Sequence, residues 1–108
     1  MDFNDYQREA RKTAIYPTDM KVIYPAIGLS GETGEVAEKV KKCIRDNGGV
    51  FDEERRAAVA KELGDVLWYL SAIASDLGYT LDDIARMNIE KLRSRASRAQ
   101  LHGEGDNR

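Results

Sequence analysis

The stretch GETGEVAEK, residues 31–39, sets carboxylates at Glu32, Glu35 and Glu38, and KELGD, residues 61–65, adds Glu62 and Asp65 at the same three-residue step. Like charges at that spacing repel one another along a helix. An interior glycine such as Gly31 or Gly34 weakens a helix by about 0.5–1 kcal/mol relative to alanine. A segment that accepts both penalties can be holding its carboxylates for a cation. All-oxygen ligands without His or Cys favour Mg²⁺ or Mn²⁺ over zinc. Mg²⁺ keeps waters and shares its shell with substrate phosphates, so the chemistry on offer is phosphate chemistry. The competing reading is a solvated acidic helix face, which isolated Glu pairs at this spacing commonly form.

Two helices must position these groups. At about 100° per residue, Ala26, Leu29, Val36, Val40, Cys43 and Ile44 share one apolar arc, with Glu32 on its edge and Glu35 roughly 60° further out. On the next helix Leu63, Val66, Leu70, Ile73, Ala74 and Leu77 form the core arc, with Glu62 on its edge and Asp65 roughly 60° further out on the same side. Antiparallel packing would bring the two pairs face to face. Two unit charges ~4 Å apart repel by about 4 kcal/mol at an effective dielectric near 20, so the carboxylates need protons, basic partners or a cation. Gly28, Gly31 and Gly34 leave room there for ion, water and phosphate. Glu38 points away from the core, and with Lys39, Lys41 and Lys42 it reads as solvated.

Four helices account for the chain. The first covers about residues 4–15, with Phe3, Tyr6, Ala10 and Ala14 as an apolar stripe. YPTDM, residues 16–20, is a turn, with Thr18 or Asp19 as N-cap of a helix over about 21–45. Pro25 falls in the first turn, where its missing N–H is tolerated. DNGG ends that helix with residues that accept the left-handed conformation. The third helix covers about 52–77, with Gly78 as its stop, and Thr80 caps the fourth through a capping box in which Asp83 stands where Glu is usual. The expected architecture is all-α, a four-helix bundle-type domain over 1–98, followed by a polar tail over 99–108.

Composition narrows the functional classes. The 108 residues suggest one domain, and a net charge of −2 gives no basic footprint for a nucleic acid polymer. No apolar run approaches the ~18 residues of a membrane span, and the N-terminus has no signal-peptide core. A single cysteine, Cys43, excludes an intrachain disulfide and a Cys-cluster zinc site. The one histidine, His102, lies in the tail, which argues against a di-iron bundle built on Glu-x-x-His motifs. The expectation is a soluble cytoplasmic protein.

GLSGETGEVAEKVKK followed by KELGDVLWYLSAIA resembles the MazG-like nucleoside triphosphate pyrophosphohydrolases. They belong to the all-α NTP pyrophosphatase superfamily, with dimeric dUTPases and phosphoribosyl-ATP pyrophosphohydrolases. The family's ExxE and ExxD motifs match Glu32-Thr33-Gly34-Glu35 and Glu62-Leu63-Gly64-Asp65. NIEKLRSR is similar to the family's Asn, Lys and Arg positions, here Asn88, Lys91 and Arg95, and YQREARKTAIYP to its first helix. The resemblance implies hydrolysis of a (d)NTP to (d)NMP and pyrophosphate, with Mg²⁺ as cofactor and Mn²⁺ as a substitute. It implies Glu32, Glu35, Glu62 and Asp65 as metal ligands, Lys91 and Arg95 on the triphosphate, and a homodimer or homotetramer. Glu32 or Glu35 is the candidate general base. Asn88 can contact sugar or phosphate. Gln7 can reach the base, unless it is an ordinary surface glutamine. Trp68, nearly opposite the core arc, reads as buried in a subunit interface, and Tyr69 lies at the acidic edge, where an aromatic can stack on a base. Two alternatives stay open: a catalytically silent nucleotide- and metal-binding regulatory module, and a dUTPase-type or phosphoribosyl-ATP-type specificity. The ending RASRAQLHGEGDNR does not fix base selectivity.

Overall fold

Asp2 opens the first helix. Its carboxylate accepts from the Asp5 N–H at 2.7 Å, and the Asp5 carboxylate accepts from the Asp2 N–H at 3.2 Å, so two helix-end donors are satisfied reciprocally. The computed structural model describes residues 1–98: α1 (Phe3–Arg11), α2 (Ile23–Asn47), α3 (Glu53–Asp76) and α4 (Leu81–Ser97), with a 3-10 turn at Thr18–Met20. The all-α architecture is as the sequence indicates, with no strand among the described residues. The expected polar tail lies outside them.

α2 and α3 form a long antiparallel hairpin. Gly48 and Gly49 turn the chain at φ 59° and 77°, and Asp52 caps α3 by accepting from the Arg55 N–H at 2.9 Å. α1 lies against another face of α3, where Ala10, Arg11 and Ala14 meet Trp68, Ser71 and Ala72. α4 packs on α1 and α3. Its capping box forms as expected: Thr80 Oγ1 accepts from the Asp83 N–H at 3.0 Å, and Asp83 accepts from the Thr80 N–H at 3.0 Å.

Gln7 fastens α4 to the rest. Its Nε2 donates to Ser75 Oγ and to the Tyr79 carbonyl, both at 2.9 Å, and its Oε1 accepts from the Leu81 N–H at 2.8 Å. The surface position considered for Gln7 is therefore corrected: it is 8% exposed, and its amide is engaged in joining three elements. Gln7→Ala would leave the buried Leu81 N–H unpaired. The expected loss is about 2 kcal/mol or more, read as a lower urea midpoint at unchanged slope.

Three local expectations fail for physical reasons. α1 stops at Arg11 because Thr13 folds back, its N–H and Oγ1 both donating to the Ala10 carbonyl at 3.0 and 2.6 Å, a local bond that competes with helix continuation. Neither Thr18 nor Asp19 caps α2. Both sit in the 3-10 turn, and Val22 occupies the N-cap with no side-chain hydrogen bond. The apolar arcs are only partly covered: Ile44 is 62% exposed, Leu63 52% and Leu77 55%, while the buried side chains are small ones such as Cys43, Ala72 and Ala74. The chain is also open, with a Cα radius of gyration of 16.7 Å against about 13 Å for a compact chain of 100 residues. Among the described residues, no helix is long and apolar enough to cross a membrane.

Candidate metal centre

The antiparallel hairpin carries out the pairing that the helix arcs suggest. One carboxylate oxygen each from Glu32, Glu62 and Asp65 lies within 4.8 Å of the others. Glu32 and Glu62 are half-buried and Asp65 is exposed. Glu32 Oε2 is buried and has no hydrogen-bond partner among the described residues. Burial raises the Glu32 pKa, and the charges of Asp65, Glu62 and Glu35 push it in the same direction. Glu38 provides the contrast. It is paired with Lys41 at 3.0 Å and Lys42 at 3.9 Å, and the Lys41 hydrogen bond draws its carboxyl below the usual range. Carboxylates crowded together, with one oxygen buried and unsatisfied, fit a hard divalent cation better than a solvated acidic face does.

A cavity of about 330 Å³ opens beside the cluster, lined by Thr13, Glu32, Asp65, Trp68 and Tyr69. Trp68 is half-buried beside α1. Its Nε1 donates to Thr13 Oγ1 at 2.8 Å, and its ring meets Tyr69 edge-on at 5.0 Å. The sequence placed it opposite the core arc because α3 has a second packed face, against α1, built from residues too small to register as apolar periodicity. Tyr69 has its hydroxyl pKa raised by burial first, then by Tyr24, Glu32 and Asp65.

The MazG nucleotide pyrophosphohydrolase domain, as a family model, matches residues 26–99. The chain belongs to that family. It is also 44% identical to the "Gene 37 protein" of Mycobacterium phage L5 over 114 residues, covering all of both chains. No solved structure matches. Nucleotide pyrophosphohydrolase activity is the general property of a MazG domain, and divalent-metal dependence is general among such domains.

The MazG match spans Glu32, Glu35, Glu62 and Asp65, but they do not all converge. Glu35 is exposed and stands outside the three-carboxylate group, close enough for its charge to act on Glu32. Asn88 is exposed, Lys91 half-buried and Arg95 only 5% exposed on α4. None of the three lines the cavity beside the cluster. Gln7 precedes the matched region.

Of the glycines expected to make room, only Gly28 is closely approached. A Cβ there would collide with the Tyr69 ring, whereas at Gly31 and Gly34 it would meet nothing within 4 Å. Gly28→Ala should therefore destabilise by about 1–3 kcal/mol through overpacking. Gly34→Ala should stabilise α2 by about 0.5–1 kcal/mol. Opposite shifts in melting temperature check the pair.

Proposed function

We propose that this MazG domain is a Mg²⁺-dependent nucleoside triphosphate pyrophosphohydrolase acting in the cytoplasm, converting (d)NTP and water to (d)NMP and pyrophosphate. The observation that carries this reading is the buried, unpartnered Glu32 oxygen within a three-carboxylate cluster that faces a cavity. Glu32, Glu62 and Asp65 would hold the metal. When bound, Mg²⁺ neutralises phosphate charge and acidifies water, and Mn²⁺ can substitute. Glu35, beside the cluster but outside it, accepts the proton of the water that attacks the α-phosphorus. Lys91 and Arg95 share one face of α4 at i and i+4. They neutralise the charge that builds on the departing pyrophosphate, with arginine suited to bidentate contact. Asn88, one turn earlier, contacts sugar or phosphate.

The same reading makes the protein a homodimer or homotetramer. Ile27, Ile44, Leu63, Leu70 and Leu77 remain more than a third exposed on the hairpin, as do Met87 and Ile89 on α4, and packed subunits would cover them. Light scattering on the eluting protein should return the mass of two or four chains.

The test of the activity is product analysis with a panel of NTPs and dNTPs in MgCl₂, with and without EDTA. Monophosphate plus pyrophosphate, lost with EDTA, is the expected result. Diphosphate plus orthophosphate would move the cut to another bond and sink the α-phosphorus mechanism. Nucleotide and Mg²⁺ binding with no turnover would favour a silent regulatory module.

A further inference from the structure

Val22 carries φ 66° and ψ −50°, and the Lys21 carbonyl accepts from the Ile23 N–H at 2.7 Å. This is a γ-turn of the rare, strained hand, and a β-branched residue occupies it. Such strain persists only where the surroundings over-determine it. Here they centre on Asp76, whose side chain is 0% exposed. Its Oδ2 accepts from the Val22 N–H at 2.8 Å and the Tyr16 hydroxyl at 2.7 Å, and its Oδ1 accepts from Arg11 Nη2 at 2.7 Å. Arg11 Nη1 also donates to the Tyr16 oxygen at 2.8 Å. Burial pushes the Asp76 carboxyl up, but the bonds from Val22, Tyr16 and Arg11 outweigh it and hold the group below the usual range. One carboxylate at the end of α3 thus ties down the end of α1 and the whole link into α2.

The link forms the wall of a cleft. Tyr16 stacks on Tyr24 with ring centroids 5.1 Å apart. Both line a cavity of about 310 Å³ that shares Thr13, Trp68 and Tyr69 with the cavity at Glu32 and Asp65. A pocket lined by four aromatic side chains, Tyr16, Tyr24, Trp68 and Tyr69, therefore adjoins the carboxylates. Aromatic walls of this kind suit a flat heteroaromatic ring, and stacking tolerates any base.

Resting on the pyrophosphohydrolase reading, we propose that Asp76 is a positioning residue for substrate binding. By clamping Tyr16 and the Val22 turn, it fixes the Tyr16–Tyr24 wall of the cleft, which receives the nucleobase of a nucleotide whose phosphates lie at Glu32 and Asp65. Fixing the wall before the base arrives lowers the ordering penalty of binding. The chemistry at phosphorus does not involve Asp76.

Trp68 is the one tryptophan in the chain, so its emission reports on the cleft. The full chain is titrated with nucleoside monophosphates and, separately, with tripolyphosphate and Mg²⁺. Monophosphates should quench Trp68, and tripolyphosphate should not. In Asp76→Asn, monophosphate affinity should fall about tenfold, with KM rising in parallel while kcat and inhibition by tripolyphosphate hold. Tyr16→Phe keeps the ring and removes one bond to Asp76, so a smaller shift in the same direction is expected. It also serves if Asp76→Asn does not fold. Unchanged quenching and KM in the variant, equal loss of tripolyphosphate affinity, or a lower kcat at constant KM would each overturn the proposal. Absence of turnover on every nucleotide would defeat the pyrophosphohydrolase reading alone. The titration then decides the cleft by itself: quenching weakened by Asp76→Asn supports it, and no quenching by any monophosphate overturns it.

Discussion

Glu62→Gln should lower turnover by about a hundredfold or more and abolish the Mg²⁺-dependent rise in melting temperature. The amide preserves the shape of the side chain but removes one of three negative charges gathered within 4.8 Å. Charge stabilisation by a catalytic metal is worth several kcal/mol, and each 1.36 kcal/mol is tenfold in rate. Glu62 is only half-buried, so the fold should survive. Steady-state kinetics and calorimetric Mg²⁺ titration of the same preparation check both halves. A variant that kept its Mg²⁺ affinity and turnover would return the acidic cluster to a solvated role.

Mg²⁺ should stabilise the protein, and the gain should grow with pH. Glu32 has its folded pKa raised above the ordinary 4.5, so between the unfolded and folded values the native state binds more protons than the unfolded chain. Its contribution is fully present below the unfolded pKa and is lost as pH rises through the folded pKa. Metal needs the ionised form, so binding strengthens across the same window. At a hundred times the Kd, binding adds about 2.7 kcal/mol, a shift on the order of 10 °C for a domain of this size. Asp76 acts with the opposite sign. Its folded pKa is lowered, and its stabilisation is lost as pH falls through that value. The Glu32 effect is therefore isolated by comparison with Glu32→Gln. Without metal, this variant should melt above the wild type at neutral pH, and Mg²⁺ should not move it. Melting curves from pH 4 to 8, with Mg²⁺ or EDTA, carry the test. Equal metal responses in the two proteins would overturn it.

The meeting of Glu32, Glu62 and Asp65 was legible because each acidic pair sits at the same angular offset from an apolar arc, and the Gly48–Gly49 turn makes the two helices antiparallel. The four helices were legible from their caps and stops: Thr80 with Asp83, Gly78, and the glycines after Asn47. The packing of α1 was legible on its own side only. Ala10 and Ala14 of the expected stripe do face α3, but their counterparts there, Ser71 and Ala72, are too small to set a hydrophobic period on α3. Gln7 gave no signal either, since a glutamine that bonds two backbone groups and a serine looks like any surface glutamine until the chain is folded. The Val22 turn runs against local preference, and its stabilising partner, Asp76, is distant in sequence. The covered and uncovered parts of the apolar arcs could not be told apart because periodicity marks what is apolar and not what lies opposite it.

The hydrogen bonds of Gln7 also decide where this protein can be cut. The MazG match begins at residue 26, which invites a shortened version starting there. Such a fragment would lack the acceptor for the Leu81 N–H, the donor to the Tyr79 carbonyl and the helix that covers Ser71, Ala72 and one side of Trp68. It would keep Glu32, Glu35, Glu62 and Asp65, together with Asn88, Lys91 and Arg95 and the Thr80–Asp83 capping box that starts α4, yet it would lose the Gln7 bonds that fix how α4 lies against the rest. The smallest working unit therefore includes the first eleven residues, and the boundary recognised by sequence similarity is shorter than the boundary required for folding.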